Sequence, residues 1–223
     1  MENINESYNE NFYTDNISLE NNRVFLAGTV ESDLEFSHMI YGEKFYLFKL
    51  KTERLSESCD IINITISERF FSDIRPEIGD KVKIQGQFRS YNNFSSVGNR
   101  LILTVFVKEI EPVYDFDVIK NPNRIFLNGF ICKPPVYRTT PFKREIADIL
   151  LAVNRSYNKS DYIPCIAWGR NAKYAAALSV GTNLHIWGRI QSREYQKKIN
   201  DYEVETKTAY EISVSKLEES TAE

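Results

Sequence analysis

The chain of 223 residues lacks the patterns on which most enzymes and metal proteins depend. Its three cysteines are an odd number at wide spacing, which indicates neither a disulfide framework nor a zinc cluster. We interpret Cys59, Cys132 and Cys165 as buried thiols. No glycine-rich phosphate loop and no pair of catalytic carboxylates is evident in the sequence. We therefore predict a protein that is not an enzyme and that uses no metal or other cofactor.

Long apolar runs and a secretion signal are absent as well. No apolar run approaches the roughly 18 residues that a membrane-spanning helix needs. The first 16 residues are acidic and rich in asparagine, without the basic and apolar regions of a signal peptide. These features predict a cytoplasmic protein with no membrane partner.

Positive charge is scarce in the chain as a whole. Lys and Arg number 28 against 31 Asp and Glu, which gives a net charge of −3. Because phosphate binding depends on Lys and Arg that displace counterions, this total argues at first sight against a nucleic-acid partner. A total can hide an uneven distribution, so the charge has to be counted domain by domain.

The chain contains an internal repeat. The segment NRVFLAG at 22–28 returns about a hundred residues later as NRIFLNG at 123–129, with the same alternation and the same glycine. Downstream, GDKVKIQG at 79–86 corresponds to GTNLHIWG at 181–188. Two pairs of segments that agree in order and separation indicate that the chain is built from two copies of one unit.

Each copy is predicted to be a complete domain, because the period far exceeds the roughly 20–50 residues of solenoid repeats. The turn signal Asn121-Pro122-Asn123 marks the start of the second copy. The predicted division is a flexible acidic segment at 1–21, a first domain at 22–113, a linker at 114–121, a second domain at 122–218 and a tail at 219–223.

Both copies carry the signals of an all-β domain with one short helix. In the first copy, β-rich segments lie at 23–30, 45–51, 61–66, 81–88 and 101–108; the second has the same set and ends with 202–209 and 210–216. Short helices are predicted at 68–74 and 171–178. Three strands, a helix and two more strands is the order of an OB fold. We therefore predict two tandem five-stranded OB barrels.

Three segments of the second copy carry a specific pattern: NRIFLNGFICKPP at 123–135, DYIPCIAWGRNAKYAAAL at 161–178 and VGTNLHIWGRIQSREY at 180–195. With these segments the second copy resembles the OB domain of bacterial single-stranded DNA-binding proteins over nearly its whole length. Members of that family bind single strands with little sequence preference, stacking bases on four aromatic side chains along basic grooves. The resemblance implies the same activity for residues 122–218.

Four rings stand at the positions that the resemblance assigns to stacking. Tyr157 lies in the loop after the second strand, Tyr162 starts the third strand, Trp168 ends it, and Tyr195 follows the fourth-strand motif. Every base has a π-face, so an exposed ring contributes about 1–3 kcal/mol per stacked base whatever the sequence. Tyr and Trp tolerate a half-wet surface, which suits this task.

The distribution of charge removes the objection that the net charge raised. The second copy holds 15 Lys and Arg against 9 Asp and Glu, the first holds 12 against 13, and residues 1–21 hold five acids and no base. Basic residues cluster around the aromatic positions and are the candidate phosphate contacts. They are Arg155, Lys159, Arg170, Lys173, Arg189, Arg193, Lys197 and Lys198.

The first copy departs from this pattern. Ile61, Ser67 and Asn93 stand at the places of Tyr162, Trp168 and Tyr195. A reduced surface could form from Tyr91, Phe94, Arg89 and Arg100, but a barrel kept for dimerisation, tethering or partner contact fits the loss of rings better. For Trp187 in the second copy, contact with the barrel, with a second chain and with DNA all remain open.

The leading prediction is binding of single-stranded DNA in replication, recombination or repair. The alternatives are a primosome-type or RNA-binding OB protein and a protein-interaction scaffold. The resemblance implies an assembly of four barrels, which a homodimer of this chain would supply. Replication or repair proteins are further candidate partners, but the ending KLEESTAE has no apolar tip of the kind with which the family recruits them.

Overall fold

A computed structural model gives the fold. It describes residues 21–54, 56, 58–95, 98–156, 158–198 and 204–220, with the backbone alone described at 92–95, 98–100, 197 and 198. Residues 1–20 of the predicted flexible segment lie outside this description, and so does Tyr157. Asn21, the last residue of that segment, donates its side-chain amide to the Asn154 carbonyl at 2.6 Å, and its own carbonyl accepts from the Asn128 amide at 2.8 Å.

Within the described ranges there are twelve strands and two short helical segments, one in each copy. The first copy comprises β1 Asn22–Val30, β2 Glu35–Ile40, β3 Glu43–Glu53, β4 Cys59–Ser67, a 3-10 helix Glu68–Ser72, β5 Lys81–Ser95 and β6 Gly98–Pro112. The second comprises β7 Asn123–Ile131, β8 Val136–Thr139, β9 Glu145–Arg155, β10 Lys159–Trp168, α1 Arg170–Ala176, β11 Asn183–Lys198 and β12 Val204–Glu219.

The strands form one sheet that closes on itself twice. Its order is β2-β3-β4-β6-β5-β1-β7-β11-β12-β10-β9-β8, and the further pairings β3–β1 and β7–β9 close a barrel in each copy. Most of the inward side chains of both barrels are apolar and belong to one continuous buried cluster. The predicted all-β architecture of two OB barrels, each with one short helix, is confirmed.

Two details of the strands differ from the sequence prediction. Each barrel has a sixth, short strand, β2 or β8, that forms a hairpin with the next one. The turn after β2 has φ of +49° at Tyr41 and +85° at Gly42, which is the backbone of a tight hairpin but carries a tyrosine where asparagine or glycine is usual. The predicted segments 202–209 and 210–216 are one strand, β12, from Val204 to Glu219.

Gly28 and Gly129, which are equivalent in the repeat, mark places where two strands approach too closely for a side chain. A Cβ at Gly28 would collide with the Lys51 carbonyl where β1 meets β3, and one at Gly129 would collide with the Ala152 carbonyl where β7 meets β9. Substituents there would force the backbones apart. These glycines therefore permit each barrel to close.

The two barrels are joined by antiparallel pairing of β1 with β7. Asn22 lies opposite Leu127, Val24 opposite Ile125, and Leu26 opposite Asn123. Asn22 and Asn123 are equivalent in the repeat, as are Leu26 and Leu127, so exchanging the copies leaves the register unchanged. The barrels are therefore related by a local twofold axis at the pair Val24 and Ile125.

Each barrel also extends a hairpin arm to the other barrel. The β5–β6 arm contacts β10, and the β11–β12 arm contacts β4. Oδ1 of Asp161 accepts from the Ser90 amide at 2.7 Å, and Oδ1 of Asp60 accepts from the Ser192 amide at 2.9 Å. Both aspartates are fully buried. We call these two contacts the aspartate clamps.

The two clamps differ in the charges around the carboxylate. Asp60 pairs with Arg54 Nη2 at 2.6 Å and with Arg189 Nη1 at 2.9 Å. Asp161 has Arg155 Nε at 3.5 Å from its Oδ2. Burial raises the pKa of Asp161 more than its hydrogen bond from Ser90 and the nearby arginines lower it. The charged form of Asp161 is therefore the costly one in the folded protein.

Among the cysteines, only part of the sequence interpretation is correct. Cys165 is buried on β10 and Cys132 is half-buried, but Cys59 is exposed. Cys59 is the first residue of β4, and its side chain points away from that of its buried neighbour Asp60 because directions alternate along a strand. No described helix is long and apolar enough to span a membrane.

We predict that the Asp60 clamp contributes more to stability than the Asp161 clamp. Asp60→Asn should lower the free energy of unfolding by about 2–3 kcal/mol, because it removes a carboxylate that accepts from two guanidiniums and a backbone amide. Asp161→Asn should cost less. A raised folded-state pKa makes that carboxyl's contribution to stability largest below its unfolded pKa and lost as pH rises through its folded pKa.

Urea unfolding at pH 7 measures both values, and Asp73→Asn, at an exposed site, is the control. Equal losses for the two clamp variants would contradict the difference in charge environment.

Candidate nucleic-acid interface

The outer face of β10 carries two of the predicted stacking rings. Asp161, Ile163, Cys165 and Ala167 point into the barrel and are buried, so the alternating residues face outward. Tyr162 and Trp168 lie on this outer face. Tyr162 is 48% exposed and Trp168 is half-buried. Six residues of extended strand hold their backbones about 20 Å apart.

The third described ring, Tyr195, lies on the β11–β12 arm. Its side chain is 39% exposed, and the Arg193 guanidinium carbon is 5.9 Å from its ring centroid. Arg193 Nε lies 3.8 Å from Oε1 of Glu211, on the neighbouring strand of the arm. Glu211 is buried, and burial raises its pKa against the opposing effect of Arg193. Tyr195 thus projects from a hairpin whose base is fixed by polar contacts.

Several predicted phosphate contacts are exposed around these rings. Lys159 begins β10 three residues before Tyr162, and Arg170 begins α1 two residues after Trp168. Both are exposed, as is Arg193 on the arm. Lys173 is also exposed, but its Nζ is 3.1 Å from Oε1 of Glu145, and the hydrogen bond to that carboxylate raises the pKa of the lysine.

Two further predicted phosphate contacts pair with buried aspartates. Arg155 and Arg189 belong to the aspartate clamps and are only partly exposed. Burial, and after it the neighbouring Arg54 guanidinium, lowers the pKa of Arg189. Their role toward DNA stays a prediction, and their geometry gives both a structural role. Tyr157 lies outside the described residues, and so do the side chains of Lys197 and Lys198.

Trp187, whose role the sequence left open, packs against side chains of neighbouring strands in the second barrel. It is 9% exposed, with its ring 5.2 Å from that of Phe126 on β7 and the Nζ of Lys216 at 4.7 Å. The indole is therefore part of the packing of β7, β11 and β12.

Sequence reasoning missed both the clamps and an aromatic hairpin. Tyr137 on β8 is partly exposed and Phe142, at the turn that follows, is 87% exposed. They were overlooked because β8 is only four residues long. The clamps left a readable signal, since Arg54 and Asp60 recur as Arg155 and Asp161 at the spacing of the repeat.

The equivalent face of the first barrel has a different surface. Ser67, at the place of Trp168, is buried; its hydroxyl donates to a carboxylate oxygen of Glu43 and accepts from the Arg69 amide at the start of the 3-10 helix. Ile61, at the place of Tyr162, donates its amide to the Ser192 hydroxyl at 2.9 Å. At these two positions the first barrel offers no ring, and it carries part of the contact with the other barrel.

Comparison with known proteins agrees with this difference between the barrels. Residues 122–219 match the model of the Single-strand binding protein family. "Single-stranded DNA-binding protein 1" of Staphylococcus aureus is 37% identical over 83 residues, covering 34% of this chain and 50% of the relative. "Single-stranded DNA-binding protein A" of Bacillus subtilis is 35% identical over 83 residues, covering 34% and 48%. The chain spans about half the length of these relatives.

Solved structures with a similar fold extend over both barrels of the chain. The "wild-type single-stranded DNA binding protein from Thermus aquaticus" superposes with a TM-score of 0.69 at 19% identity, over 91% of this chain and 94% of that one. A deletion mutant of that protein gives 0.70. The N-terminal domain of PriB from Thermoanaerobacter tencongensis, solved as a dimer, is 51% identical over 43% of this chain, with a TM-score of 0.39.

The chain is thus a tandem OB-fold protein. Over its second barrel it is similar in sequence to the bacterial single-stranded DNA-binding proteins, and the resemblance predicted for residues 122–218 is confirmed.

Proposed function

We propose that the protein binds single-stranded DNA with little sequence specificity, without catalysis, and acts in cytoplasmic DNA replication, recombination or repair. The observation that carries the proposal is the outer face of β10. Each of its two rings has an exposed cation close by in the sequence. Lys159 lies three residues before Tyr162, and Arg170 lies two residues after Trp168. A row of rings beside cations is the arrangement that binds bases by stacking and the backbone by charge.

In this proposal the bound DNA strand runs from the outer face of β10 to the β11–β12 arm. Tyr195 and Arg193 would supply a further ring and cation there. Stacking on these rings reads no base edges, which supports binding without sequence preference. The positive excess of the second copy supports a strong dependence of affinity on salt.

Trp168 provides a direct optical test. Oligo-dT should quench the tryptophan fluorescence, because a stacked base changes the surroundings of a half-exposed indole. Trp168→Phe should remove most of the quench while retaining most of the affinity, since phenylalanine also stacks. Trp187→Phe is the control and should leave the quench in place, because that indole is packed inside the sheet. A quench that survives in Trp168→Phe would place the strand elsewhere.

Removing the rings should abolish most of the binding. In the full-length protein, changing Tyr162, Trp168 and Tyr195 together to alanine removes at least about 3 kcal/mol of stacking, which is about a hundredfold in affinity. The control changes two other exposed rings outside the proposed dimer cluster, Tyr41 and Tyr114, to alanine and should bind normally. Fluorescence anisotropy with labelled oligo-dT measures the affinities, and oligo-U in the same assay tests preference for DNA over RNA. Wild-type affinity in the ring-free variant would move the proposed site to the first barrel.

We also propose that the chain forms a homodimer. The β2 hairpin of the first barrel exposes a cluster of apolar side chains, Phe36, Met39 and Ile40, of a kind that marks interaction surfaces. Light scattering at micromolar concentration should give twice the mass of the chain, and Met39→Lys should lower it to that of one chain. A single-chain mass for the wild type would reject the dimer.

A further inference from the structure

The seam between the two barrels contains a cavity of about 560 Å³. Three separate parts of the chain supply a cation to its wall: Arg54 at the end of β3, Lys120 in the connector before β7, and Arg189 on β11. Ser213 of β12 lines it with a hydroxyl as well, whereas the hydroxyl of its neighbour Ser215 donates to the Trp187 carbonyl at 3.0 Å. Neither the stacking face of β10 nor Tyr195 is part of this cavity.

The charges in the wall do not balance. Arg54 and Arg189 both pair with the same carboxylate, that of Asp60, and among the described residues the other acid in the wall is Glu53. Of the described lining residues, three are therefore cations and two are carboxylates. The two guanidiniums also repel each other across their shared carboxylate: burial, and after it the charge of Arg54, lowers the pKa of Arg189. A further anion would relieve that repulsion.

The guanidiniums also keep hydrogen-bond capacity. Arg54 uses Nε and Nη2 to reach Asp60, while Arg189 uses Nη1 for Asp60 and Nη2 for Gln191. A guanidinium has five N–H donors, so each retains donors beyond these contacts. Arginine forks, a lysine charge and serine hydroxyls are the groups with which proteins hold phosphate.

We propose that this cavity is a binding site for a phosphate oxyanion, distinct from the stacking face. Two sources share that chemistry: a phosphodiester of a DNA strand that passes from one barrel to the other, and a free phosphate ion. The first rests on the proposed function. The volume of about 560 Å³ leaves room for part of a nucleotide around the phosphate.

The local twofold axis supplies an internal comparison. At the opposite seam the residue after the bulge glycine is Gln87, whereas Arg189 follows the equivalent glycine, Gly188. Asp161 there has Arg155 at 3.5 Å, and Arg89 stacks on Phe106 with its guanidinium carbon 4.1 Å from the ring centroid. Arg89 also acts electrostatically on Asp161, so the Asp60 seam is distinguished by two arginines that lie at 2.6 Å and 2.9 Å from its carboxylate.

Lys120→Gln in the full-length protein tests the site, because this lysine is exposed and its loss should not disturb the clamp. Oligo-dT affinity is measured over a series of salt concentrations. A lost phosphate contact reduces the slope of log affinity against log salt by about 0.7, which is about fivefold in affinity at 0.1 M salt. Lys83→Gln, on β5 outside the cavity and paired with Glu111, is the charge-matched control and should leave the slope unchanged.

A second measurement separates the two sources. Sodium phosphate is titrated into isotope-labelled wild-type and Lys120→Gln protein while the backbone amide signals of Gly188 and Ser213 are followed by NMR. A reduced slope supports a strand phosphodiester. An unchanged slope with saturable shifts in the wild type that Lys120→Gln weakens supports a free ion. If Lys120→Gln leaves the slope unchanged and phosphate causes no saturable shifts, the phosphate site is rejected. If the wild type binds no oligo-dT, the proposed function is rejected, and the phosphate titration still shows whether the cavity binds the free ion.

Discussion

The pairing of β1 with β7 is the constraint on which the rest of the structure depends. It makes two barrels into one sheet and fixes their relation by a local twofold axis through Val24 and Ile125. Asn22 and Asn123 secure its two ends, each holding the amide and carbonyl of one residue on its own barrel, Phe88 or Ile190. These side chains satisfy backbone groups that would otherwise be buried without partners.

With the barrels fixed in this way, each hairpin arm contacts the opposite barrel, where one of its backbone amides donates to a buried aspartate. The Asp161 clamp adjoins the stacking face, since the amide of Tyr162 donates to the Ser90 hydroxyl of the other barrel's arm at 2.8 Å. The first barrel thus holds the strand that carries Tyr162 without supplying a ring at the equivalent positions. Its contribution to the candidate site is mechanical support, which agrees with its loss of the aromatic pattern.

The fold could be predicted because its signals are local and duplicated: alternation marks the long strands, and the repeated glycines mark the closures. The short strands β2 and β8 could not, because the turns after them place Tyr41 and Lys143 at positive φ, a conformation for which these residue types give no signal. At the site, the resemblance singles out Tyr162 and Trp168, and alternation along β10 gives their outward direction. The partner of Arg189, Asp60, could not be predicted, because it depends on which barrel each arm touches, and that is a property of the register between β1 and β7.

Carrying both halves of a twofold contact on one chain has two consequences that a pair of separate barrels would not share. The halves meet at a local concentration set by the ten-residue connector at 113–122 and not by the amount of protein in the cell, so dilution does not separate them. A substitution also occurs once instead of twice. The two seams can therefore differ, with Arg189 at one and Gln87 at the equivalent position of the other. In the same way, the first barrel can carry a protein-contact surface while the second carries the candidate DNA-binding surface.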